Sequence, residues 1–172
     1  MTHKPGVLHP LVRLLQRVED SILISLLLVM ITMAVLQIFL RNFFDSGIVW
    51  GDSLVRVLVL WIGLVGAMVA SRTDNHISID ILSRYLPSAV KPFTTLATHV
   101  FTAVVTGVMA WFSLEFVRME MQDKMIAFAS VPAWVCESII PIAFLVISIR
   151  YTLFSITLFF QLMPKKRVAK KP

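Results

Sequence analysis

The residues that could do chemistry in this chain are few. Cys136 is the single cysteine, and the histidines are His3, His9, His76 and His99. A lone thiol excludes an internal disulfide and paired-cysteine redox or metal chemistry. No Ser/His/Asp order, metal-ligand spacing or glycine-rich phosphate loop stands in the sequence, so no catalytic residue, metal site or cofactor is expected. What remains is charge in apolar surroundings: Asp52, Arg56 and Arg150. A central arginine in a membrane helix costs about 2.5–3.5 kcal/mol on insertion scales, which makes each such residue a functional candidate. Asp52 and Arg56 stand at i and i+4 with the acid first, the favourable order for an ion pair on one helix face. Asp52 also falls in a first turn, where the helix dipole favours an anion. Arg150 has no carboxylate within reach on its own helix. It needs a partner from outside its own helix, which could be a carboxylate or carbonyl of a partner protein, or a lipid phosphate reached by snorkelling. His99 reads as a packed, hydrogen-bonded histidine, because haem ligation would want a second histidine at facing depth.

These residues must be positioned by membrane helices. The chain is 172 residues long, 58% apolar and 15% charged, with a mean hydropathy of +0.83. Soluble domains are about 45–50% apolar and about 25% charged. A helix rising about 1.5 Å per residue needs about 20 residues to cross a hydrocarbon core about 30 Å thick. Four stretches satisfy this, at about 21–40, 53–70, 93–114 and 138–163. The fold class is therefore all-α, a polytopic membrane protein with four transmembrane helices plus short interfacial amphipathic helices. The whole chain reads as one four-helix membrane domain.

The net charge of +6 is sorted by side. Lys4, Arg13, Arg17, Arg72, Arg84, Lys91 and the five cations from Lys165 to Lys171 make 11 on the side of the termini, against Arg41, Arg118 and Lys124 on the other. The positive-inside rule places both termini in the cytoplasm, and no nucleic-acid partner is implied. Residues 1–20 place Val7, Leu8, Leu11, Leu15 and Val18 on one stripe, which reads as an amphipathic helix on the inner leaflet or as a cytoplasmic extension of the first span. The segment 76–86 reads as interfacial, and 164–172 as a solvated basic tail able to meet anionic lipid. In the loop from Glu115 to Glu137, the apolar stretch 125–136 is too short for a fifth crossing and is either interfacial or re-entrant.

In the second span Gly63, Gly66, Ala67 and Ala70 fall at i, i+3, i+4 and i+7, a smooth face that lets backbones approach closely. Either another helix of this chain or a partner subunit packs there. Trp50, Trp61, Trp111 and Trp134 read as interfacial anchors.

The order of Arg41-Asn42-Phe43-Phe44-Asp45, Trp50-Gly51-Asp52, Arg56, Trp61, Gly66-Ala67, Arg72, His76-Ile77-Ser78-Ile79-Asp80, Pro132, Trp134, Pro141 and Arg150 resembles the small permease (Q) subunit of tripartite ATP-independent periplasmic (TRAP) transporters. Ser53 departs from it, standing where the family often has a second acid. The resemblance implies a bacterial inner-membrane subunit that scaffolds a large elevator-type membrane subunit. That assembly would take up an organic acid with sodium, delivered by a periplasmic substrate-binding protein. Glu115, Glu120 and Asp123 are then placed to meet the binding protein, and membrane lipids complete the partners. The competing class is a four-helix membrane anchor of a redox complex. A small multidrug exporter fits less well, because the first span has only Ser, Thr and Gln as polar groups.

The charge asymmetry generates a topological test. Single cysteines at Ser46 and Gln122, in a Cys136→Ser background, are expected to react with an impermeant thiol reagent outside intact cells, and one at Ser88 is not. Labelling at Ser88 would reverse the orientation.

Overall fold

A computed structural model of the chain describes residues 8–72 and 90–162, with side chains from residue 13 on. The interfacial segment 76–86, the basic tail 164–172 and Ser88 lie outside the described residues. Helix α1 runs Leu8–Phe44 over 37 residues, and α2 runs Gly51–Ala70 over 20. Helix α3 runs Lys91–Asp123 over 33 residues, with Pro92 in the first turn, where its missing N–H costs least. A two-stranded antiparallel hairpin follows, β1 Ile126–Phe128 with β2 Val131–Pro132. It leads into a short helix, α4 Ala133–Glu137, and then α5 Ile139–Leu162 over 24 residues. Among the described residues four helical stretches are long and apolar enough to cross a membrane.

At three places the structure selects, refines or departs from the sequence reading, each time with a local cause. The described part of 1–20 is continuous with the first span, so α1 is the extension and not two helices. No Gly or Pro lies between Leu11 and Ser46, and Glu19-Asp20 does not interrupt the backbone ladder. Likewise α3 continues through Glu115, Glu120 and Asp123, which are helical and not in a loop. It ends at Lys124, whose φ of 50° is left-handed, the usual way of closing a helix C-terminus. The 125–136 segment is the β-hairpin plus the start of α4, closed by the Ala133 N–H donating to the Met125 carbonyl at 2.8 Å.

Spatial order differs from chain order. Helix α1 lies against α2, α2 against α5, and α5 against α3 in the most extensive pairing. Among the described residues α1 and α3 make no comparable contact with each other, so the helices form an open row and not a closed bundle. The core gathers Met68 of α2 with Ala143, Ile147 and Tyr151 of α5, flanked by Leu64, Ala103, Val146 and Phe154. His99 is fully buried on α3, its ring 5.7 Å from Tyr151 and 5.9 Å from Phe154.

Close packing of α3 on α5 rests on a second small-residue stripe, Ala103, Gly107 and Ala110. The Ser148 hydroxyl donates to the Ala103 carbonyl at 2.9 Å, and a Cβ added to Gly107 would stand 3.2 Å from that hydroxyl oxygen. The stripe on α2 behaves differently: a Cβ added to Gly63 or Gly66 would meet nothing within 4 Å, and Ala67 and Ala70 are exposed. No helix of this chain covers it among the described residues.

Gly107→Leu is therefore expected to overpack the α3–α5 contact and lower stability by about 1–3 kcal/mol. Gly66→Leu, with open space in front of it, is expected to change the stability of the isolated chain by less than about 0.5 kcal/mol. Thermal unfolding of both variants in one detergent reads the contrast, and equal losses would refute the distinction between the stripes.

Candidate functional site

The polar chemistry gathers at the two ends of the helix row. At the end where α1 starts and α2 finishes, Arg150 is not left for a partner protein or a lipid. Its Nη2 donates to Glu19 Oε1 of α1 at 2.6 Å, and its Nη1 donates to Ser71 Oγ at 3.0 Å and to the Met68 carbonyl. The partner outside its own helix that Arg150 needs is present, but it belongs to another helix of this chain and not to a partner protein or a lipid. The extension of α1 carries Glu19 up to α5, a contact the sequence hides because the two residues are 131 positions apart.

Glu19 serves a second guanidinium at the same time. Its Oε2 accepts from Arg72 Nε at 2.7 Å and lies 2.6 Å from Nη2. Arg72 also donates to Asp20 Oδ1 at 2.7 Å and to the Gln16 carbonyl at 3.0 Å. Burial alone would lower the Arg72 pKa. Hydrogen bonds to Glu19 and Asp20, with the charges of the two carboxylates, outweigh it and raise it instead. The site also closes the C-terminus of α2, where the last carbonyls lack helical partners and cations are favoured. The Ser71 N–H and hydroxyl take the Ala67 and Met68 carbonyls, the Arg72 N–H takes Val69, and Arg150 adds a second donor to Met68.

At the other end Asp52 does not pair with Arg56. Its Oδ2 lies 2.6 Å from Arg41 Nη2 of α1, while Arg56 Nη2 donates to Ser53 Oγ at 3.1 Å. The i,i+4 rule loses because the α1–α2 turn delivers a guanidinium directly to the carboxylate. Gln37, noticed in the sequence only as a polar group of the first span, organises that turn. It is buried, its Nε2 donates to the Ile48 carbonyl at 3.0 Å and to Asp52 Oδ1 at 3.4 Å, and its Oε1 accepts from the Ile48 N–H at 3.3 Å. Gly51 leaves room for this approach, since a Cβ there would stand 2.7 Å from Gln37 Oε1 and the carboxamide would have to shift.

Trp61 is also more than an anchor. Its indole N–H donates to the Cys136 carbonyl at 2.8 Å, tying α2 to α4, while Trp50 stacks on Phe128 of the hairpin with centroids 6.2 Å apart. Glu115 and Asp123 are exposed on α3, Glu120 is half-buried, and Arg118 pairs with Glu115 at 3.4 Å. Among the described residues no group of three or more His, Cys, Asp or Glu is arranged to hold a metal.

Fold and site together define a multi-pass membrane protein in which Glu19, Arg72 and Arg150 join the chain's own helices. Residues 30–161 match the family "Tripartite ATP-independent periplasmic transporters, DctQ component". The chain belongs to that family, and with its four apolar helices it is a multi-pass inner-membrane protein. It is 24% identical over 149 residues to the ectoine TRAP transporter small permease protein TeaB of Halomonas elongata, covering 86% of this chain and 77% of TeaB. Against the sialic acid TRAP transporter permease protein SiaT of Haemophilus influenzae it is 28% identical over 80 residues, covering 46% of this chain and 13% of SiaT. Against the sialic acid TRAP transporter small permease protein SiaQ of Vibrio cholerae it is 23% identical over 95 residues, 55% of each chain. The chain thus spans 13% of SiaT and about half of a putative TRAP small permease of Haemophilus influenzae. The family consists of transporter components, which gives the redox-anchor alternative no support.

The shared carboxylate generates a ranking. Glu19, 15% exposed, loses two arginines when made neutral, whereas Asp20, 49% exposed, loses one in a wetter setting. Glu19→Gln is expected to cost about 3 kcal/mol, the scale of breaking a buried pair. Asp20→Asn is expected to cost about 1 kcal/mol or less. Thermal unfolding of the purified chain measures both, and the reverse order would remove Glu19 from the centre of the network.

Proposed function

We propose that this chain is the fixed small membrane subunit of a TRAP-type secondary transporter, with both termini cytoplasmic, and that it scaffolds the large elevator subunit. The assembly couples uptake of an organic acid to sodium and receives its solute from a periplasmic substrate-binding protein. The observation that carries this reading is the open face of α2: Gly63 and Gly66 have empty space where a Cβ would go, and Ala67 and Ala70 are exposed beside them. In lipid, where no hydrophobic force drives helices together, such a face gains most from the close approach of another backbone. Membership of a family of tripartite transporter components supports a helix of the large subunit as the occupant. Relatives named for ectoine and sialic acid transport support a small organic solute. Buried charge spent on helix-to-helix clamps supports a static role, since moving an ion with a solute requires ligands satisfied in two conformations. Glu115, Glu120 and Asp123 lie on the stretch of α3 that meets the binding protein, where exposed charges chiefly speed association.

Reconstitution tests the proposal. In liposomes the chain alone is expected to give no sodium-driven uptake, and uptake is expected only when the large subunit and binding protein are added. Gly66→Leu and Ala67→Leu are expected to leave the isolated chain folded and to reduce copurification of the large subunit. Uptake by this chain alone, or full assembly and transport with both variants, would overturn it.

A further inference from the structure

Arg56 is a charge on α2 that the clamps leave over. It stands five residues into α2, about 7.5 Å of helical rise from Gly51. It is exposed, and the neutral Ser53 hydroxyl is its side-chain partner at 3.1 Å. Among the described residues no carboxylate pairs with it, because Asp52 is held by Arg41. Arg56 and Arg41 line one groove between α1 and α2, of about 330 Å³, together with Gln37, Asp52 and the apolar Ala34, Ile38 and Val55. That volume is within the range of about 300–1,000 Å³ usual for small-ligand clefts. Asp52 cancels one of the two guanidiniums, so the head of the groove keeps one positive charge. Ala34 lies seven residues before Arg41, about 10 Å deeper along α1, so the apolar wall runs from the charged head toward the membrane centre.

We propose that this groove is a phospholipid site in the leaflet at the Asp52 end: Arg56, assisted by Arg41, holds the headgroup phosphate, and an acyl chain lies along Ala34, Ile38 and Val55. Guanidinium matches phosphate oxygens bidentately and is weakly hydrated, which suits an interface between water and hydrocarbon. A carboxylate from a neighbouring subunit would use only the head of the groove. A phospholipid uses both parts. The inference rests on the membrane-spanning character of the chain and not on its part in transport, so the two fail separately.

The test uses the full chain, delipidated in mild detergent and offered phosphatidylglycerol, with retention read by native mass spectrometry. One phosphatidylglycerol per chain is expected to survive. Arg56→Gln is expected to weaken retention about fivefold, equivalent to about 1 kcal/mol, and Arg56→Lys to keep most of it. Ala34→Phe, which fills the apolar wall and leaves the charges alone, is expected to lose retention as well. Diacylglycerol, with chains and no phosphate, and glycerol 3-phosphate, with phosphate and no chains, are both expected to be lost. Retention unchanged in Arg56→Gln, or diacylglycerol held as well as phosphatidylglycerol, would overturn the site. So would an Arg56→Gln chain that keeps its lipid but loses the large subunit, since the counter-ion is then a carboxylate of that partner. If Arg56→Gln fails to fold, Arg56→Lys and Ala34→Phe decide: retention lost in the lysine variant or kept in the phenylalanine variant overturns the site.

Discussion

One carboxylate, Glu19, stands between two guanidiniums, and three helices meet there because neither arginine can be left alone in an apolar layer. Lipid tails are as apolar as leucine, so the broad aliphatic surface of α1 gives it no reason to choose α2 over the bilayer. The choice is made by charge. Glu19 takes Arg150 from α5 and Arg72 from the end of α2, and Asp20 takes the second side of Arg72. Two acids and two bases leave the cluster neutral, which is the condition for keeping it partly buried. Arg150 does a second service by occupying the Met68 carbonyl, a position at the end of α2 that the helix cannot satisfy itself.

The opposite end uses a neutral hub with a peripheral ion pair. Gln37 holds both the carbonyl and the N–H of Ile48 and touches Asp52, and Gly51 leaves room for it. The Arg41–Asp52 pair on its rim has both side chains 58% exposed, so it contributes little by itself and chiefly occupies Asp52. That occupation separates Arg56 from its nearest acid in the sequence.

The spans were legible in the sequence because crossing a bilayer demands about 20 apolar residues and few charges, a condition independent of what packs where. The contacts were not legible to the same degree. The pair Glu19-Asp20 looks like the edge of a membrane segment, yet backbone hydrogen bonding passes through it and the acids find their bases on other helices. Arg150 could be recognised as needing a partner, but spacing cannot reach a residue 131 positions away. Helical periodicity found the stripe Gly63, Gly66, Ala67 and Ala70 but could not say whether this chain covers it. A similar helical spacing, i, i+4 and i+7, at Ala103, Gly107 and Ala110 was present and marks the stripe that α5 does cover. A small residue permits close approach, and only the neighbour's position decides whether the approach is made.

The separation of the two clamps on α1 turns this chain into a calliper. From Glu19 to Gln37 is 18 residues and from Glu19 to Arg41 is 22, or about 27 to 33 Å along one unbroken helix. Ionic groups resist entering hydrocarbon, so the gap between the jaws corresponds to the thickness of oil the molecule accepts upright, and it matches the about 30 Å of an ordinary bilayer. A thinner membrane must tilt the α1–α2 pair or thicken around it, and a thicker one must thin locally, each at a fraction of a kcal/mol per ångström of mismatch. Because Glu19 also grips α5, a tilt of α1 pulls on the rest of the row at that end. Bilayer thickness thereby acts on the whole helix row and not on α1 alone.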